Sequence, residues 1–213
     1  MPCSGLCRGG RFLQETTTAM LPPDGPTPTE APRDREPDGL DFGLSPGPDI
    51  APIRSRLVHE LHDYWDAKRA GRAMPRKSDI DPSEIKPLLP YVLLGEFAAD
   101  PVRLRYRLVG TEVVTVYGVD FTGRWLDELD FGEQLKGGWP EQYRRVFDSG
   151  RPVYGSARLL ATSGMEMTYE FGLFPLSQDG AAPTHCLDVN DYRAALRRAE
   201  DAWARIKILQ QAG

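Results

Sequence analysis

The chain has 213 residues, 26 basic against 31 acidic side chains and a formal net charge of −5. That acidic balance argues against general binding to nucleic acid or to anionic membrane, and the lack of a long uncharged apolar run argues against a transmembrane helix. Three cysteines, two of them Cys3 and Cys7, do not make a disulfide framework; no secretory signal is legible, and the cytoplasm is the expected compartment.

Residues 1–50 read as a disordered, acidic tail. The run from Leu21 to Pro52 is dense in proline, glycine and acids, and the first fifty positions carry four basic and eight acidic residues. Such a stretch buries too little apolar surface to offset ~1–2 kcal/mol of backbone entropy per residue. Cys3 and Cys7 have a spacing a metal site can use, but no histidine or second cysteine pair lies nearby to complete a ligand set.

The folded part is expected over residues 51–192. Pro52 suits a first helical position, and Ile53, Leu57, Val58, Leu61, Tyr64 and Trp65 recur at helical spacing as far as Gly71. His59 and His62 read as surface residues of that helix. The basic run from Lys68 to Lys77 is either an anion or nucleic-acid patch or a solvated helix end whose cations complement the dipole, the simpler reading. Asp81, Pro82 and Glu84 spell a helix start with a capping box, kept short by Pro87.

Residues 91–97 and 103–110 then read as two antiparallel strands. Strict alternation puts Leu104, Tyr106 and Leu108 on one face and Arg103, Arg105 and Arg107 on the other. Thr111 is placed to cap a short helix ending at Gly118, and residues 119–129 read as loops with one helical turn whose acids, Asp120, Asp127 and Glu128, are solvated. A helix is expected over 138–150, followed by strands at 151–160, 165–176 and 184–190. Met165, Met167, Tyr169, Phe171 and Leu173 share one face of the second of these. His185 shares parity with Leu187 and Val189, while Cys186 opposite reads as a small buried hydrophobe. Residues 193–213 form a closing amphipathic helix striped by Tyr192, Leu196, Ala199, Trp203, Ile206 and Leu209.

This order predicts an α+β fold: a five-stranded antiparallel sheet with helices on one face, flanked by N- and C-terminal helices. A helix crossing a curved sheet leaves a space where small ligands bind. Trp65, the block GRAMPRKSDIDPSEIKPLLPYVLL (71–94), RYRLVGT (105–111) and GVDFTGRWLDEL (118–129) together resemble a bacterial single-domain subfamily of PAS domains, over about residues 55–192. The resemblance implies a five-stranded PAS sheet, a sensory or signalling role, and protein–protein contacts through the sheet or flanking helices.

No phosphate loop, HExxH or kinase motif is present, so an enzyme is not expected and no catalytic or metal site is assigned. The leading expectation is a sensory module acting through a protein partner, such as a kinase or other regulator, or through a homodimer, with or without a small ligand in its cavity. Face parity nominates Tyr106, Tyr143, Phe147, Met167, Tyr169 and His185 as cavity walls. A ligand-free adaptor is one alternative. Another is a small-molecule enzyme on a related curved sheet, which needs a carboxylate near Tyr106 or Tyr169; parity puts Arg107, Glu166 and Glu170 on the opposite face. Nucleic-acid binding through residues 68–77 is not expected and would show itself by a steep salt dependence.

The stretch CRGGRFLQ (7–14) resembles the signature of LOV photoreceptors, flavin-binding PAS domains in which a cysteine directly precedes Arg-Phe-Leu-Gln. Here Gly-Gly-Arg separates Cys7 and Arg8 from Phe12, within the tail. The helix around Tyr143 and Phe147, where haem-binding PAS proteins often place an axial ligand, has no histidine, and no cysteine stands there for a flavin adduct. Flavin and haem are therefore not expected. The purified protein should be colourless, with no flavin absorbance in the visible spectrum; a yellow protein would overturn this reading.

Overall fold

The computed structural model of the chain describes residues 44–45, 49–129, 138–160 and 166–197. Cys3, Cys7, Met165 and the stripe residues Ala199, Trp203, Ile206 and Leu209 lie outside the described residues. The elements are β1 (Leu44–Ser45), α1 (Arg56–Arg69), β2 (Val92–Ala99), β3 (Val102–Val109), α2 (Thr111–Tyr117), α3 (Gly138–Ser149), β4 (Val153–Leu160), β5 (Glu166–Ser177) and β6 (Pro183–Asp191), with single 3-10 turns between α1 and β2 and after α2. All neighbouring strands are antiparallel, in the order β1-β4-β5-β6-β2-β3. This is the expected five-stranded sheet, to which the two residues of β1 add a short edge by pairing with Gly155 and Tyr154.

The sheet is covered on both faces. On the inner face α2 and α3 supply Val113, Val116, Trp139, Tyr143 and Val146, which pack on Leu93, Leu104, Tyr106, Met167, Tyr169, Phe171 and Leu173. On the outer face α1 supplies Leu57, Val58, Leu61 and Trp65, which pack on Tyr154, Phe174, Leu176, Leu187 and Val189.

Helix α1 begins at Arg56 rather than at Pro52, because its cap is tied to the sheet. Ser55 Oγ accepts from the Val58 amide at 3.2 Å and donates to Asp191 Oδ2 at 2.7 Å, while the amides of Arg54 and Ser55 donate to the Glu170 carboxylate at 3.0 and 2.5 Å. Pro52 falls in the preceding turn. Farther along, Trp65 Nε1 donates to the Pro175 carbonyl at 2.8 Å. His59 and His62 are half-buried rather than surface residues: His59 Nε2 lies 2.8 Å from the Ile53 carbonyl and His62 Nδ1 2.6 Å from the Tyr154 hydroxyl. Both fill the seam between α1 and what it covers.

At the other end Arg72 donates to the carbonyls of Lys68 and Arg69, at 2.8 and 2.9 Å, and pairs with Asp79 at 2.6 Å. The basic run thus complements the helix C-terminus. Asp81 caps only a 3-10 turn, accepting from the Ser83 amide at 2.8 Å. Glu84 does not close a capping box there; it pairs with Lys68 Nζ at 2.6 Å, drawn by a full charge rather than an amide.

In the β2–β3 hairpin Leu94 faces Leu108 but Gly95 faces Tyr106, so Arg107 is an extra residue, a β-bulge. The bulge breaks the expected alternation. Leu104 and Tyr106 stay inward, whereas Leu108 turns to the outer face and is 40% exposed. The free edge of β3 is closed by the segment after α2: the Tyr106 amide donates to Arg124 O at 3.0 Å and the Gly123 amide to Tyr106 O at 2.7 Å. Arg103 clamps this segment, bonding both Asp127 oxygens at 2.7 Å and lying 4.3 Å over the Trp125 ring. Asp127 and Glu128 are therefore ion-paired with Arg103 rather than simply solvated. Gly110, not Thr111, is the N-cap of α2, and a Cβ at 110 would clash with the Pro90 carbonyl oxygen.

The seat of α1 is closest at Gly172, where an added Cβ would lie 2.8 Å from Phe174 Cε2 and 2.9 Å from Val58 Cγ1. Gly172→Ala should lower the unfolding free energy by ~1–3 kcal/mol, the usual penalty of overpacking, in a urea denaturation series. An unchanged midpoint would mean that α1 is not seated there.

Candidate functional site

The inner core holds a polar chain that sequence parity did not anticipate. Asp188, on the central strand β6, is 2% exposed. Tyr143 of α3 donates its hydroxyl to Asp188 Oδ2, and the Tyr106 hydroxyl of β3 lies 3.4 Å from that of Tyr143. The chain thus links three elements through a core that is otherwise aromatic and aliphatic. Tyr106 meets Phe121 edge-on at 4.8 Å, and Trp139 meets Phe171 at 4.8 Å. The rings of Tyr169 and Tyr192 lie 4.6 Å apart, tilted by 50°, with the Tyr117 hydroxyl near both of theirs.

Burial pushes the Asp188 carboxyl up to about 7; the Tyr143 hydroxyl and, more weakly, the Leu93 backbone oppose this. Burial, and then the neighbouring Asp188 charge, raise the hydroxyls of Tyr106 and Tyr143 well above their ordinary value, so both remain donors. Burial and the same carboxylate push the Cys186 thiol up, leaving it an unreactive core group. Five buried oxygens, Gln142 Oε1, Asp188 Oδ1, Asn190 Oδ1 and the hydroxyls of Tyr169 and Tyr192, have no hydrogen-bond partner within reach among the described residues. Asn190 lines a cavity of about 20 Å³ with Tyr106, Tyr117, Trp139 and Tyr143, room for a single water molecule.

Tyr106, Tyr143, Met167 and Tyr169, expected as cavity walls, share this inner core. Phe147 stands apart at its rim, half-buried with its ring 5.2 Å from Phe97. His185 requires a correction. It does share parity with Leu187 and Val189, but those residues pack under α1 on the outer face, so His185 is not a wall of the inner core. The inward set on β6 is Cys186, Asp188 and Asn190. Reading the apolar members of LDVN as inward hid the carboxylate. The signal that identifies it is an amphipathic α1 striped on the flank of the sheet, since a strand covered on both faces has no polar, solvent-facing set.

An antiparallel sheet of order β4-β5-β6-β2-β3, crossed on one face by short helices, is the architecture of a sensory-domain fold. The chain belongs to the PAS domain family, which it matches over residues 53–189, more than half its length. It is also similar in structure to an RNA-binding light-oxygen-voltage receptor, at 14% identity and a TM-score of 0.41, covering 65% of this chain and 41% of that one. This chain therefore spans about two fifths of that receptor. A light-oxygen-voltage domain characterised with a flavin analogue matches at 14% identity and a TM-score of 0.40, covering 56% and 93%. The light-state LOV domain of the photoreceptor Aureochrome1 matches at 12% and 0.37, covering 62% and 98%. No curated protein matches the chain.

The raised Asp188 value has a definite consequence for stability. The unfolded carboxyl titrates near its ordinary value of about 3.9, below its folded value of about 7. Between these the folded state binds more protons, so stability falls as pH rises through the window, by roughly 4 kcal/mol in all. Asp188→Asn removes this dependence. The variant should match the wild type near the acidic end of the window and exceed it in unfolding free energy at neutral pH, by urea denaturation across the range. A gap that does not widen with pH would refute the assignment.

Proposed function

We propose that this PAS domain is a sensory module whose input acts on the buried Asp188–Tyr143–Tyr106 chain and whose output passes to a protein partner, a kinase or other regulator, or to a second copy of itself. The carrying observation is an ionisable carboxylate enclosed in an aromatic core and hydrogen-bonded to α3. Protonating it, or offering a polar group to its free oxygen, changes what Tyr143 is bound to, and so how α3 is seated.

The residues present do not fit a flavin. The space of about 20 Å³ beside Tyr106 and Tyr143 suits a water molecule, whereas cofactor pockets measure hundreds of Å³. Cys186, the cysteine among the described residues, is sealed in the core. An input at Tyr106, Tyr143, Met167 and Tyr169 is on this reading a proton or a very small polar ligand. The enzyme alternative gains in Asp188 the carboxylate it needs, yet the same enclosure leaves a substrate no room beside it. Among the described residues no helix is long and apolar enough to cross a membrane.

The reading is tested by hydrogen exchange across α3 between about pH 6 and about pH 8, the span that brackets the Asp188 transition. Protection of α3 should change with pH in the wild type and stay fixed in Asp188→Asn, while Tyr143→Phe should uncouple α3 from the carboxylate. A response that persists unchanged in Asp188→Asn would move the input elsewhere.

A further inference from the structure

On the outer face, away from the Asp188 core, successive outward positions run in register across three neighbouring strands. Leu94 pairs with Leu187 on β6 and Leu108 on β3, and Glu96 pairs with His185. The β3 residue paired with Glu96 is Arg105, which turns to the edge segment, donating to the Gly123 carbonyl; Arg107, the bulged residue, is ion-paired with Glu96 and lines the cleft. An apolar row and a polar row therefore lie one strand period apart, roughly 7 Å. The apolar row floors a slot of about 160 Å³, walled by Ile80, Ile85 and Leu89. The polar row floors an open cleft of about 650 Å³, walled by Lys77, Ser78 and Gln178. Lys77 is a wall of both.

The donors of the cleft are only partly engaged. Within the basic run, Lys68, Arg69 and Arg72 are ion-paired, but Lys77 is exposed and forms no ion pair among the described residues. Glu96 holds Arg107 through Nε, which orients the guanidinium and leaves its terminal nitrogens for another acceptor. His185 is 6% exposed and its Nδ1 lies 2.9 Å from Thr184 Oγ1, while its Nε2 makes no hydrogen bond among the described residues. Burial, then the charge of Lys77, hold its protonation down; Glu96 opposes them and Arg107 adds to them. Lys77 and Arg107 against Glu96 leave one net positive charge with His185 neutral, and a second when it is protonated.

We propose that this face binds an anion with an apolar body, an aryl or alkyl phosphate monoester. Its oxyanion lies against Lys77, Arg107 and His185, and its body lies in the slot beneath Leu108. More donors converge than a carboxylate employs, and a dianion balances the charge of the cleft once His185 is protonated. This site is independent of the inner core, and its failure leaves the sensory reading untouched.

The test is calorimetric titration of the full chain with phenyl phosphate, and with inorganic sulfate as the bodiless comparison. Wild type should bind phenyl phosphate saturably at one site. Lys77→Ala and Arg107→Gln should each weaken binding by about tenfold, the worth of one charge-assisted contact. Glu96→Gln should tighten it, a gain that no loss of fold can produce. Leu108→Ser should weaken phenyl phosphate while leaving sulfate unchanged. Proton uptake on binding, read from buffers of different ionisation enthalpy, should be smaller in His185→Gln, because the ligand's own protonation is the same in both proteins. Lys77 and Leu108 are exposed, so thermal unfolding of their variants should match wild type. No saturable binding to the wild type, binding indifferent to both Lys77→Ala and Arg107→Gln, or equal losses for the two ligands in Leu108→Ser would overturn the proposal.

Discussion

A sheet buried on both faces governs everything else in this fold. With α1 on one side and α2 and α3 on the other, most residues of the inner strands must fit one of two separate cores, and the outer face opens only around Glu96 and His185. Close approaches then require glycine: Gly95 leaves room for the Leu104 side chain and Gly172 for Val58. Polar residues meet the same constraint more severely, since a buried group without a partner loses ~1–3 kcal/mol. Asp188 is held in that setting by a hydroxyl from a facing helix, which places the least comfortable residue of the core at the junction between sheet and α3.

Much of this was legible in the amino-acid order. The alternation of Met167, Tyr169, Phe171 and Leu173 marks β5 and its inner face, and the family that the sequence resembles is the one it matches over residues 53–189. What was hidden depended on contacts distant in the chain. The start of α1 is marked locally by Ser55, an N-cap residue that the helical reading from Pro52 passed over, and is fixed to the sheet by Asp191 and Glu170, more than a hundred residues away. Glu84 has the spacing of a capping box but a lysine within reach. The bulge at Arg107 has no signature in RYRLVG, because an extra residue is visible only against a partner strand. Asp188 was missed for a different reason: apolar Leu187 and Val189 are as buried as theory asks, only in the other core.

The blocks that carry the family resemblance also have a physical role. GVDFTGRWLDEL lies along the exposed edge of β3, bonding Tyr106 on both its amide and carbonyl sides, with Arg103 over Trp125 as the clasp. An uncovered edge invites pairing with another chain, and this segment forecloses it. The block from Gly71 to Leu94 runs from the end of α1 back into the sheet, held by Arg72 to Asp79 and by Lys68 to Glu84. Both blocks hold the frame, and the second also supplies Lys77 to the outer cleft.

Strand β6 carries two interleaved vocabularies. Its even positions, Cys186, Asp188 and Asn190, address the inner core, and its odd positions, His185, Leu187 and Val189, address the other side. Sites whose side chains share no neighbours vary nearly additively. A lineage of such domains could therefore rewrite the chemistry of one face, letter by letter, while the other kept its meaning, with a single nine-residue strand serving two histories of selection at once.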